Sequence, residues 1–474
     1  MANIPLCVDL DGTLTYTDML HESTLNLVTS KPSLLLQLPM LLHSGIASMK
    51  AKIAEHYKFS PSVLPYNQDV IEFIKEEKRS GRTIVLCTAT DNKIAMQIAE
   101  HLQLFDEVIA SDGVTNIAGK NKSDILVKRF GKGGFDYVGN SSDDLLVWGS
   151  ARKAIVVNAS KKVVSESKKK FAVERVYEKT ELSPKVTLKM FRMHQWLKNL
   201  LMFIPMIAAH EVLDLQNWFL VALGFISFSF CASTVYILND LLDLEADRLH
   251  PTKKKRPFAS GCIPIKTGVI VAPVMFLISV GIGTFISTSF LSWLGIYFII
   301  TCLYSVKLKQ IVLIDCFTLA ILYTLRIISG AVAVELAPSF WLLAFSISLF
   351  FSLSFVKRFS ELQTQLLNGK HKAAGRGYFT DDAPLVQAIG ISSGYISALV
   401  FALYLNSEEI LTLYSSPNLV LGSVFVLLFW VSWIWLKAFR GQMHEDPVVF
   451  AVQDKVSLIS GSIFILFILL GSVI

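Results

Sequence analysis

A chain of 474 residues has room for two or three domains, yet only 17% of it is charged and 53% is hydrophobic, against about 25% charged in an average soluble domain. The net charge of +6 does not point to nucleic acid, because the basic residues sit in short segments between apolar runs, the distribution that membrane topology imposes. The six cysteines are scattered, with no CxxC and no metal-type spacing, which argues against a disulfide framework. The apolar excess lies after Met190, so a soluble module, 1–180, is expected ahead of a membrane module, 181–474.

The opening MANIPLCVDLDGTL has no basic stretch followed by an apolar run of signal length, so the first module is expected to stay in the cytoplasm. Short apolar runs at 4–9, 83–88, 107–110, 135–139 and 153–157, each bounded by polar or turn residues, read as buried strands. Helical patterns at 67–79, 92–103, 121–130 and 143–151 separate them, and this alternation predicts a doubly wound parallel sheet, a Rossmann-like α/β domain. Residues 15–66 are too many for a loop and predict an inserted helical cap. Its LLLQLPMLL stretch is too short to cross a bilayer. Residues 158–190 read as a polar, Lys-rich connector.

Apolar segments follow at 196–210, 217–238, 267–288, 290–304, 311–333, 340–356, 386–405, 417–436 and 456–473, predicting an all-α polytopic domain of about nine transmembrane helices. With the first module cytoplasmic, the loops 239–266, 304–310, 357–385 and 437–455 share its side and carry the Lys and Arg residues. The opposite loops near 211–216, 289–291, 334–339 and 406–416 carry none. That bias predicts a multi-pass protein of the inner (cytoplasmic) membrane with both modules facing one compartment.

The densest chemistry lies in Asn239–Gly261, NDLLDLEADRLHPTKKKRPFASG. Asn239, Asp243 and Asp247 recur at intervals of four, with Asp240 beside them, so one helix would place their oxygens on one face. Carboxylates gathered there repel unless a cation neutralises them, and a few hard oxygens plus phosphate suit Mg²⁺. An isolated DxxxD is ordinarily a solvated helix end, but these acids adjoin an apolar span, where ionisable groups are costly and usually functional. Lys253, Lys254, Lys255 and Arg256 follow, suited to diphosphate. Lys198, Lys357 and Arg358 fall at interface depth, suited to a lipid phosphate. Arg326 lies inside a span and needs a partner, whether Asp315, a substrate phosphate or another helix. His444-Glu445-Asp446 resembles a ligand cluster but reads as a solvated loop.

NDLLDLEAD followed by RPFASG resembles the first aspartate-rich motif of the UbiA-type prenyltransferase superfamily. YSVKLK, with Tyr304, Lys307 and Lys309, and Asp315 beyond it stand where the second motif belongs, although its usual DxxxD is reduced to one acid. RMHQWLKN, DRLHPTKKKRP and VKRFSEL resemble the decaprenyl-phosphate phosphoribosyltransferase branch. The resemblance covers about 190–474. It implies Mg²⁺ on Asp240, Asp243 and Asp247, with Asp315 as a further ligand, and a phosphoribosyl group passing from phosphoribosyl diphosphate to a polyprenyl phosphate. The alternative is an aromatic prenyltransferase that moves a chain from polyprenyl diphosphate to a ring such as 4-hydroxybenzoate.

DLDGT at 9–13 resembles the first motif of haloacid-dehalogenase (HAD) hydrolases, which makes Asp9 a nucleophile and Asp11 a general acid and base. Thr88, Lys122 and GNSSDD at 139–144 stand in the order of the companion motifs. They imply a phosphate-binding hydroxyl, a neutralising ammonium, and Asp143 or Asp144 as a Mg²⁺ ligand beside Asp9 and Asp11. Asn140 stands where the family has an acid, which puts metal binding and activity in question.

Overall fold

The computed structural model describes residues 4–35, 43, 45–179, 183–369, 371–372, 376–407, 414–443 and 446–473. The chain divides into two compact units, Met1–Phe191 with Tyr236–Ala272, and Arg192–Val235 with Pro273–Ile474.

The first unit is built on six parallel strands, β1 (Leu6–Val8), β2 (Ile84–Asp91), β3 (Glu107–Ser111), β4 (Asp136–Gly139), β5 (Ala154–Val157) and β6 (Val173–Tyr177), in the order β3-β2-β1-β4-β5-β6. β1, β4 and β5 are buried along their whole length, as expected of parallel strands covered on both faces. Their alternate residues feed two cores. Leu6, Val8, Leu86, Val138 and Ile155 pack with Ile74 and Ile98 of two flanking helices, and Cys7, Val85, Tyr137 and Val156 pack with Leu126 and Trp148 on the other face. β1 lies between β2 and β4, so the strand order reverses at its carboxyl end, where open α/β sheets bind ligands.

The connector at 158–190 is not structureless. It holds a helix, Lys161–Lys170, and the sixth strand. VERVY sits on the sheet edge, where Glu174 and Arg175 remain exposed, so charged residues are tolerated there that a central strand would exclude. The cap contributes helices Met19–Ser30 and Ile46–His56. Most of its LLLQLPMLL stretch lies outside the described residues.

Along the chain, eight helices among the described residues are long and apolar enough to cross a membrane, from Leu215–Leu242 to Lys455–Ser472. The expected first span at 196–210 is instead a 3₁₀ helix, Met193–Phe203, followed by a single short helix, Ile204–Ala208. A 3₁₀ turn stacks residues three apart, and Trp196, Asn199 and Met202 form such a row. Within the second unit, the helix Ile314–Ala333 is buried along most of its length. It approaches the 3₁₀ segment so closely that a Cβ on Gly330 would lie 2.0 Å from the Met202 carbonyl oxygen. Small residues at membrane helix crossings serve this close approach.

Asp136, fully buried at the start of β4, accepts from Arg152 Nε at 2.9 Å and Nη2 at 2.6 Å and also pairs with Arg82. Burial alone would raise its pKa, but the bonds from Arg152 and Arg82 prevail and hold the carboxyl below its usual range. Asp136→Asn is expected to lower the opening free energy of β1 and β4 by about 3 kcal/mol, read by hydrogen–deuterium exchange of the full chain. A depressed folded pKa contributes stability above the unfolded value and loses it as pH falls through the folded one, so the gap between wild type and variant should close in acid.

Candidate active sites

In the first unit, β1 delivers Asp9 to the switch point, its N–H bonded to the Val138 carbonyl at 3.0 Å. The chain then turns through Gly12 at φ +72°, where a Cβ would meet the Asn140 side chain at 2.1 Å, so only glycine fits. Asp11 accepts from the Met19 N–H at 2.8 Å and the Thr90 hydroxyl at 2.6 Å. Lys122 Nζ donates to Asp9 Oδ1 and to the Tyr137 hydroxyl, each at 2.8 Å, and stands 3.9 Å from Asp144 Oδ1. Tyr137 donates in turn to Asp144 Oδ1 at 2.8 Å, and the N–H groups of Asn140 and Ser141 cradle Asp144 Oδ2 at 2.9 Å.

Of the two candidate acids, Asp144 is therefore buried with Lys122, while Asp143 is exposed. Thr88 is fully buried, and its hydroxyl accepts from the Thr90 N–H at 3.0 Å. Burial lifts Asp9 to about 6, with Asp144 adding and Lys122 opposing. Burial, helped by Asp18 and Asp9, lifts Asp11 to about 7. Burial would lower the Lys122 ammonium, but Asp9 and Asp144 outweigh it and hold it charged. A carboxylate with its own cation thus stands beside a second carboxyl that can carry a proton near neutrality. Thr90 and Tyr137 went unmarked in the motif reading. Thr90 is two residues beyond Thr88 on the same strand, the one spacing that could have flagged it.

The aspartate-rich segment does not run on one helix. Leu215–Leu242 ends just after Asp240, Asp243 forms the junction, and Leu244–Leu249 carries Asp247. Asp240 and Asp247 are buried, each 2% exposed, and both turn to one atom: Arg256 Nη1 lies 3.0 Å from Asp240 Oδ1 and 2.5 Å from Asp247 Oδ2. Asn239 and Asp243 are half-buried beside them, and Lys253, Lys254 and Lys255 form an exposed 3₁₀ turn.

In the second unit, Asp315 is fully buried in the first turn of Ile314–Ala333. It accepts from the Tyr304 hydroxyl at 2.9 Å and lies 2.7 Å from Arg358 and 3.1 Å from Arg376. Arg358, expected to meet a lipid phosphate, is fully buried and also pairs with Glu361. Its charge is already neutralised inside the protein, as is that of Asp315, expected as a metal ligand. Lys307 is exposed and Lys309 half-buried beyond the end of the Thr288–Val306 helix.

Asp446 corrects the solvated-loop reading, although His444 and Glu445 lie outside the described residues. Its Oδ2 accepts from Lys198 at 2.7 Å and Lys357 at 3.3 Å, and its Oδ1 from the Tyr323 hydroxyl at 2.8 Å. Burial would raise its pKa, but the two lysines hold the carboxyl well below the usual range. Arg326 pairs with neither Asp315 nor any other carboxylate among the described residues. It donates to Asn199 Oδ1 at 2.8 Å, the Tyr297 hydroxyl at 3.0 Å and the Leu322 carbonyl, and lies over the rings of Tyr297 and Tyr323.

Among the described residues, no three His, Cys, Asp or Glu side chains converge as a ready metal site. Instead, carboxylates converge on a cation, at Arg256 for Asp240 and Asp247 and at Lys122 for Asp9 and Asp144. Those oxygens fit Mg²⁺, which takes one or two carboxylates and completes its shell with water and phosphate.

The description of the UbiA prenyltransferase family matches residues 200–451. The uncharacterized protein y4nM of Sinorhizobium fredii is 34% identical over 97% of this chain and 89% of its own length. The nodulation protein NoeC of Azorhizobium caulinodans is 33% identical over 56% of this chain and 87% of its own. The decaprenyl-phosphate phosphoribosyltransferase of Mycolicibacterium smegmatis is 32% identical over 37% of this chain and 57% of its own. Similar solved structures include a UbiA homolog from Archaeoglobus fulgidus bound to GPP and Mg²⁺, with TM-score 0.45 and 16% identity over 60% of this chain and 97% of that one. A HAD family hydrolase from Salmonella enterica has TM-score 0.29 and 12% identity over 37% and 67%.

Removing the carboxylate that two buried lysines share is expected to be costly. Asp446→Asn should destabilise the detergent-solubilised protein by about 3 kcal/mol, seen as a lowered thermal midpoint, whereas Glu211→Gln, at an exposed acid, should leave it unchanged.

Proposed function

The chain belongs to the UbiA prenyltransferase family, and from that premise we propose that it is a Mg²⁺-dependent, multi-pass membrane transferase moving a phosphoribosyl group from phosphoribosyl diphosphate to a polyprenyl phosphate, with an N-terminal phosphatase that trims the product. The observation that carries the reading is the convergence of Asp240 and Asp247 on Arg256 Nη1. Two carboxylates turned to one positive atom have the donor chemistry a divalent cation takes beside a diphosphate. The match to decaprenyl-phosphate phosphoribosyltransferases supports the choice of donor, as do the strings RMHQWLKN, DRLHPTKKKRP and VKRFSEL. The aromatic alternative loses support because the second motif offers only Asp315, already engaged by Arg358 and Arg376.

In this reading, Asp240 and Asp247, with Asp243 at the junction, hold Mg²⁺. Bound there, the cation neutralises charge developing on the leaving diphosphate. Arg256, released from its two carboxylates, grips a diphosphate oxygen, and the exposed lysines 253–255 add to the local positive field. Lys198 and Lys357 hold the polyprenyl phosphate in place of Asp446. One of its oxygens attacks the anomeric carbon, a new carbon–oxygen bond forms, and the bond to diphosphate breaks.

The product keeps a 5-phosphate on its ribose. Asp9 attacks that phosphorus while Asp11, protonated near neutral pH, gives its proton to the departing ribose oxygen. A water that then gives its proton to Asp11 cleaves the Asp9 phosphoryl bond and releases inorganic phosphate. Lys122 steadies the phosphate, and Asp9, Asp11 and Asp144 hold a second Mg²⁺. Asn140 removes one negative charge from this shell, and Asp144, cradled by two N–H groups, supplies the remaining acid. The bias of Lys and Arg toward one set of loops supports a cytoplasmic N-terminal domain and aspartate-rich segment at the inner membrane, so that the product need not cross it.

Radiolabelled phosphoribosyl diphosphate incubated with the purified protein, Mg²⁺ and polyprenyl phosphate should place label in the lipid fraction. Asp240→Asn should cut it at least about a hundredfold, the loss that follows removal of a group stabilising charge in the transition state. No label from this donor, with label transferred from polyprenyl diphosphate to an aromatic acid, would overturn the assignment. The full chain given the phosphoribosyl lipid should release inorganic phosphate. Asp9→Asn should abolish that release and leave lipid labelling intact, and release unchanged by Asp9→Asn would rule out the N-terminal site.

A further inference from the structure

A further buried ion pair in the first unit lies outside both sites. Arg248 meets Glu22 with both terminal nitrogens, Nη1 at 3.0 Å from Oε2 and Nη2 at 2.5 Å from Oε1, and the side chains are 6% and 5% exposed. The Tyr57 hydroxyl donates to Glu22 Oε2 at 3.3 Å, and Arg248 Nε donates to the Ala259 carbonyl at 3.0 Å. The two terminal nitrogens therefore tie the aspartate-rich segment to the cap helix Met19–Ser30, while Nε braces the segment internally. A fork–fork pair of this kind fixes orientation as well as distance.

The placement of the pair gives it a consequence. Arg248 follows Asp247 directly, and the Ala259 that it also holds lies three residues beyond Arg256, the bridge between Asp240 and Asp247. Glu22 is one helical turn from Met19, whose N–H is held by Asp11. A second anchor is backbone contact: Gly261, at φ +75°, lies so close that a Cβ there would stand 2.5 Å from Tyr16 Cβ. Beside the ion pair is a cavity of about 390 Å³ lined by Glu22, Tyr57 and Arg248 and by apolar side chains that include Leu25, Leu64 and Leu244. The ion pair and the Gly261 contact thus hold the segment from two points.

We propose that Glu22 is a positioning residue for the aspartate-rich segment: from the cap of the N-terminal domain it clamps Arg248 and so sets Asp247, with its partner Asp240, for the divalent cation. The proposal rests on the reading that these aspartates hold that cation. The N-terminal domain is then a structural part of the transferase as well as a neighbouring catalyst. Residues that orient metal ligands from behind commonly change metal affinity by about tenfold or more when replaced.

The test reads metal affinity rather than turnover. Mn²⁺ binding to the full-length, detergent-solubilised protein is followed by electron paramagnetic resonance in an Asp144→Asn background, which silences the N-terminal metal site. Adding Asp240→Asn should abolish the remaining binding, and adding Glu22→Gln instead should raise its dissociation constant about tenfold with the protein still folded. Arg248→Lys, which keeps the charge and loses the fork, should raise it by a smaller factor. Should Glu22→Gln unfold the chain, Arg248→Lys decides: a raised dissociation constant supports the clamp and an unchanged one overturns it. A Glu22→Gln dissociation constant within twofold of the background, where Asp240→Asn abolishes binding, overturns the positioning role alone. Binding that survives Asp240→Asn overturns the cation reading itself, and the clamp with it.

Discussion

Taking a carboxylate out of water costs several kcal/mol unless a cation goes with it, and the chemistry of this chain is arranged around that cost. Asp9 is buried with Lys122, Asp240 and Asp247 with Arg256, Asp315 with Arg358 and Arg376, Asp446 with Lys198 and Lys357, and Glu22 with Arg248. A buried pair adds little net stability compared with an apolar replacement, yet breaking it by removing one partner is expensive. Such pairs therefore specify where charge sits. For the proposed reaction, whose substrates are anionic, that is the property worth keeping.

Closed pairs also shape how ligands enter. Lys198 and Lys357 share one carboxylate oxygen of Asp446, so a phosphate bound as proposed would exchange one anion for another without exposing a bare ammonium to apolar surroundings. In the proposed function, Arg256 would offer the converse exchange, since a divalent cation taking its two carboxylates would leave the guanidinium for the diphosphate. Each exchange keeps the local charge nearly balanced throughout, which a low-dielectric interior requires. Arg326 follows a different rule. Its charge is spread over neutral oxygens and two aromatic faces, an arrangement suited to a guanidinium and not to an ammonium.

Much of this was legible in the chain, for physical reasons that can be named. Buried parallel strands have no solvent face, so β1, β4 and β5 stand out as apolar runs, and DLDGT at the end of β1 falls where the strand order reverses. The apolar spans stand out because hydrocarbon tolerates few charges. β6 was hidden because an edge strand may be as charged as a linker. The break at Asp243 was hidden because a spacing of four is helical whether or not the helix continues. Asp446 was hidden because its partner Lys198 is 248 residues away, and nothing local separates a solvated acid from one that two distant lysines enclose.

The same distance argument explains why the pair that gives the fusion its meaning cannot be read from motifs. Glu22 and Arg248 are 226 residues apart, and each alone resembles an ordinary helix-surface charge. Glu22 lies one turn from the N–H that Asp11 holds, and Arg248 lies next to Asp247. If the two modules merely shared a chain for convenience, neither charge would need burial, and a flexible linker would serve. A buried fork between them, Glu22 to Arg248, joins the cap helix to the aspartate-rich segment in one orientation. If Glu22 positions Asp247 as proposed, binding at Asp11 that shifts the cap helix would change affinity at Asp247 by the same free energy as the reverse. The ion pair thus gives the fusion a thermodynamic content that proximity of two catalysts does not supply.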